Sequence, residues 1–81
     1  MSEERVKFEG RLALNRRERT ETQLRLQGLV RSLRDHLDPT LPVERLEGEM
    51  IAAQALDLAQ MQIRYRELLQ ESQAIKDVLG R

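Results

Sequence analysis

Few side chains in this sequence have the chemistry for catalysis or metal binding, and their spacing brings no set of them together. The single histidine, His36, lies in the run Leu33-Arg-Asp-His-Leu-Asp, with carboxylates at Asp35 and Asp38. Metal sites need several convergent ligands, and a di-iron bundle would need Glu-x-x-His on a helix, which this chain lacks. His36 is better suited to complementing the negative end of a helix. Glu67 and Glu71 have the one-turn spacing of paired acid/base carboxylates. They fall on the flank of an apolar face, where water keeps a carboxyl ionised. Ser2 and Ser72 have no base to activate them, and the chain has neither a cysteine nor a glycine-rich phosphate loop. These residues predict a protein that is not an enzyme, with no catalytic, cofactor-binding or metal-binding residues and no cofactor.

Arginine is the other chemically distinctive residue. The run Asn15-Arg-Arg-Glu-Arg-Thr, with Arg11 and Arg25 nearby, offers Arg11, Arg16, Arg17 and Arg19 as nucleic-acid contacts. Glu18 and Glu21 interrupt the run, and no aromatic side chain is at hand to stack on bases. A solvated helix face explains the same residues.

The elements that must position these side chains follow from the punctuation. Both prolines lie in Asp38-Pro-Thr-Leu-Pro42, and each turns the preceding residue away from helix. Ser2 with Glu3 and Glu4 suits a helix start, and Gly80 suits a helix stop. The sequence predicts a single domain over 1–81: a helix over 3–37, a turn at 38–41 and a helix over 42–79, folded antiparallel. Abundant Leu, Arg, Glu and Gln favour helix over strand, so the fold class is all-α, a coiled-coil-like two-helix hairpin.

Phe8, Leu12, Leu26, Leu29, Val30, Leu33 and Leu37 form an apolar seam on the first helix. Steps of four and three carried through its gap land on Asn15, Arg19 and Thr22, so the heptad stripe has a polar middle. The second helix presents a wider face: Val43, Leu46, Met50, Ile51, Leu58, Met61, Tyr65, Leu68, Leu69, Ile75 and Leu79. From these faces Leu26, Val30, Leu33, Met61, Leu68 and Ile75 are expected in the core. If the turn sets residue 37 opposite residue 43, Asn15 faces Tyr65, Arg19 faces Met61 and Gln23 faces Asp57. Asn15, Arg19, Thr22, Asp57 and Tyr65 then form a polar layer, which either sets the register of a bundle or lines a binding pocket.

A second stripe, Ala52, Leu56, Ala59 and Ile63, runs along the opposite side of the second helix. A lone hairpin leaves it in water, so these four residues are the expected protein interface of a self-associating bundle, a dimer of hairpins. Composition agrees, because 81 residues bury a thin core and no cysteine or metal site staples it. Gly28 lies mid-helix near the seam, where it either permits a close helix crossing or is simply tolerated.

Net charge is zero, but the halves differ. Residues 1–37 carry nine basic and six acidic side chains (+3), and residues 38–81 carry five and eight (−3). The offset suits two segments lying side by side and argues against a chain-wide polyanion surface. No stretch reads as a membrane span, and Met1-Ser-Glu-Glu does not read as a signal peptide. The expected location is the cytoplasm, with no membrane partner.

The stretch from Leu29 to Glu44, Leu-Val-Arg-Ser-Leu-Arg-Asp-His-Leu-Asp-Pro-Thr-Leu-Pro-Val-Glu, has a distinctive cadence. With the Ala/Gln/Leu-rich helix that follows, to about Leu69, it resembles small helical-hairpin proteins of Mu-like transposable phages and prophages. The resemblance covers roughly half the chain and carries no catalytic motif. It implies a bacterial or prophage cytosolic protein and supplies no site residues. Three roles stay open: an assembly module that pairs with itself, a nucleic-acid-associated accessory protein using the arginines, and an adaptor or chaperone for another helical protein.

Overall fold

A computed structural model describes residues 2–81; Met1, with which the signal-peptide reading begins, lies outside the described residues. Two long helices, α1 (Glu3–His36) and α2 (Gly48–Leu79), pack against each other as an all-α hairpin. Its dimensions are 63 × 16 × 14 Å.

Both outer ends are capped by the residues their types suggest. The Ser2 hydroxyl accepts from the Arg5 backbone N–H at 3.2 Å, and Glu3 and Glu4 occupy the first turn. The negative side chains complement the unpaired N–H groups there. At the far end Gly80 takes the left-handed conformation, φ 76°, and the Arg81 N–H closes on the Lys76 carbonyl at 2.8 Å. A glycine adopts that backbone without a Cβ clash.

The connection is longer than the four-residue turn expected. The Asp38 carboxylate accepts from both the N–H and the hydroxyl of Thr40, at 2.9 and 2.7 Å. After Pro42, Val43–Arg45 form one 3-10 turn, and Leu46 then becomes extended. Helical structure resumes only at Gly48, not at position 42. Glycine costs about 1 kcal/mol in a helix interior, and less at an end, so Gly48 serves better as a first residue than inside a helix begun at Pro42.

That shift changes the register. Asn15 meets Leu68 rather than Tyr65, roughly one helical turn further along α2. The seam of α1 follows the heptad steps, with Leu12, Asn15, Thr22 and Leu33 buried and Phe8, Arg19, Leu26 and Leu29 half-buried between them. Two expected members are displaced. Val30 (52% exposed) and Leu37 (54%) each follow a seam residue directly and stand half in water.

The α2 face is narrower than expected. Leu68, Ser72, Ile75 and Leu79 are buried, whereas Leu46 and Leu69 are exposed and Val43 is 79% exposed. Gln54 and Ser72 hold seam positions that a count of apolar residues passes over. A cluster of buried residues lies near the chain ends, where Leu12, Ile75 and Leu79 pack together with Phe8 against them.

Candidate functional site

Two surfaces could carry function: the polar layer within the seam and the outward face of α2. In the polar layer Asn15 Nδ2 donates to the Leu68 carbonyl at 2.9 Å. Its Oδ1 accepts from Arg19 Nε at 2.7 Å, so both ends of the buried amide are satisfied. Thr22 is buried one step further along, and Tyr65 is half-buried on α2.

Asp57 does not join this layer. It is exposed and borders a groove of about 520 Å³ with Arg25, Gly28 and Gln60. Tyr65 and Gln23 border a different groove, about 660 Å³, lined also by Leu26, Gln27 and Val30. The two grooves share no lining residue, so Tyr65 and Asp57 do not line one common pocket.

A further polar contact lies nearer the turn. Ser32 Oγ donates to Gln54 Oε1 at 3.0 Å, and His36 Nδ1 lies 2.7 Å from the Ser32 carbonyl, to which it must donate. Continuing the heptad past Leu33 to His36, and back from Leu58 to Gln54, would have marked these positions in the sequence. The seam flank carries charge. Arg64 reaches both oxygens of Glu18, at 3.0 and 3.1 Å, and contacts Glu67 at 3.4 Å. The Glu18 carboxylate raises the Arg64 pKa above its ordinary value. Glu67 is thus an ion-pair partner, and both Glu67 and Glu71 are exposed.

The four arginines are not brought together. At 100° per residue, Arg11, Arg16, Arg17 and Arg19 spread around most of α1. Arg11 lies over the Phe8 ring, 5.3 Å from its centre, and Arg19 is bonded to Asn15. Among the described residues no three His, Asp or Glu side chains could hold a metal ion, and no helix is long and apolar enough to cross a membrane.

Comparison with protein-family models, curated proteins and solved structures finds no match for this chain.

The outward face of α2 is the remaining candidate. Ala52, Leu56, Ala59 and Ile63 lie opposite the seam, and all four are exposed, Leu56 by 59% and Ile63 by 57%. Ala55, Gln62 and Leu69 bridge the angle between this stripe and the seam. The opposite flank carries Asp57, Arg64, Glu67 and Glu71. Between Glu49 and Arg66 one side of α2 is thus apolar or uncharged from the seam to its back, and the other side is charged.

Proposed function

We propose that this chain is a non-enzymatic assembly module, a helical hairpin that pairs with a second copy through the outward face of α2. The carrying observation is the exposure of Leu56 and Ile63 on the side of α2 that faces away from α1. Single exposed apolar residues are ordinary on any protein. A stripe in helical register, on a helix whose other side is already packed, is a docking face awaiting cover.

Surface area supports the same reading. The hairpin exposes 6372 Å². A compact monomer of its 9.5 kDa would expose about 5,000 Å². The excess is larger than the roughly 800 Å² that each partner contributes to a standard interface. A cytosolic setting and a phage or prophage origin, which the stretch from Leu29 to Leu69 suggests by its resemblance, are compatible with a small assembly part.

Light scattering of the purified chain from low to high micromolar concentration tests the proposal. A mass rising to twice that of the chain is expected. A monomer mass across the whole range removes self-association.

A further inference from the structure

We infer that the second copy docks antiparallel, α2 against α2, about a two-fold axis passing between Asp57 and Leu58. The inference rests on the self-association proposed above and adds its geometry. Glu49, Ala52, Leu56, Ala59, Ile63 and Arg66 follow one another in steps of three and four. They span about 100° of the helix surface, opposite the seam. All six are exposed. Neither Glu49 nor Arg66 forms an ion pair among the described residues.

Laying this row against its own reverse produces a matched set. Ala52 meets Ile63 of the second copy, and Leu56 meets Ala59, so every apolar level joins a small side chain to a large one. Glu49 meets Arg66 of the second copy at one end, and the two-fold repeats that ion pair at the other. The alanines let the helices approach while Leu56 and Ile63 fill the space above them. A parallel contact in register fails on both counts. It would set Leu56 against Leu56, leave a gap between alanines, and bring Glu49 to Glu49 and Arg66 to Arg66. Like charges facing each other oppose association.

The two-fold also sets the extent of overlap. Each α2 is covered from Gly48 to Glu67, leaving the buried cluster around Ile75 and Leu79 outside the contact. The half of the hairpin whose α2 segment has no buried residue is therefore the half that the second copy covers.

Charge reversal with sedimentation equilibrium tests the arrangement. Glu49→Arg alone, or Arg66→Glu alone, should weaken the dimer roughly tenfold by making two repulsive pairs in place of two attractive ones. The double variant should restore it. In a parallel dimer either single reversal leaves like facing like, so indifference to both overturns the antiparallel register. Cross-linking gives a second measure, since the chain has no cysteine of its own. Chains with Ala52→Cys should oxidise to a dimer when mixed with chains carrying Ile63→Cys, but not alone. The two-fold holds the two copies of position 52 roughly 16 Å apart along the axis, beyond disulfide reach. A dimer that links through Ala52→Cys alone keeps self-association and overturns the antiparallel geometry. A chain that stays monomeric removes the self-association reading itself.

Discussion

Asn15 donates its Nδ2–H to the carbonyl oxygen of Leu68 on the facing helix, 2.9 Å away, and both residues are buried. The bond crosses 53 positions of sequence and ties one level of α1 to one level of α2. Sliding either helix by a turn would strand a buried amide, at a cost of about 1–3 kcal/mol. Apolar seams alone tolerate such slips, and a single buried polar contact opposes them, which makes the alignment testable at this residue.

Replacing Asn15 separates specificity from stability. Asn15→Leu strands no buried group, because the Leu68 carbonyl keeps its place in the α2 ladder and Arg19 turns to water. Stability should hold, while the alignment broadens into more than one register, visible as multiplied or broadened amide signals. Asn15→Asp sets a carboxylate oxygen against the Leu68 carbonyl. It should lose about 2 kcal/mol in chemical denaturation. Equal loss from both substitutions would show that the amide matters only for its packing.

The distribution of burial predicts unequal truncation costs. Ile75 is buried among Phe8, Leu12 and Leu79, so Ile75→Ala should cost about 2–4 kcal/mol. Val30 is half in water, and Val30→Ala should change stability by less than about 0.5 kcal/mol. Urea denaturation of the two variants gives the comparison.

Position 28 separates the two roles considered for its glycine. A Cβ built there meets nothing within 4 Å, so the crossing of the helices does not depend on its absence. Gly28→Ala should raise stability by roughly 0.5–1 kcal/mol through helix propensity alone. A loss in thermal or urea unfolding would restore a packing role.

The turn carries a pH-sensitive contact. Donation from the Thr40 backbone N–H, and secondarily from its hydroxyl, lowers the Asp38 pKa below the usual value for an aspartate. A depressed folded value means the stabilisation is present above the unfolded pKa of about 3.9 and is lost as pH falls through the lower folded one. The Thr40 amide resonance should shift in acid with a midpoint under that ordinary value. Asp38→Ala should abolish the shift and leave the helices intact. A midpoint at the ordinary value would mean that the Asx turn does not form in solution.

How much of this was legible in the sequence varied with the kind of residue. The polar middle of the α1 seam was readable, because stepping across the apolar gap lands on Asn15, Arg19 and Thr22 whatever their types. The facing partners were not readable. They depend on where α2 begins, and a short 3-10 turn followed by an extended Leu46 moves that start to Gly48. Val30 and Leu37 are apolar and beside the seam, so type alone placed them inside; one residue of helical rotation carries them out. Gln54 and Ser72 escape an apolar count for the opposite reason, since they hold seam positions with polar side chains. The outward stripe was legible as a pattern, and the hairpin leaves it in water. The cover proposed for it is a second copy, which the pattern of one chain does not contain.

Sedimentation equilibrium of the native chain beside Leu56→Asp is the most direct measurement of what that stripe does. Position 56 touches water in the hairpin, so the substitution should leave the chain folded as a helical hairpin. The native chain should sediment at twice its monomer mass at high micromolar concentration, and the Leu56→Asp chain as a monomer. A native chain that remains monomeric, or a variant that associates as tightly as the native chain, would contradict assembly through the outward face of α2.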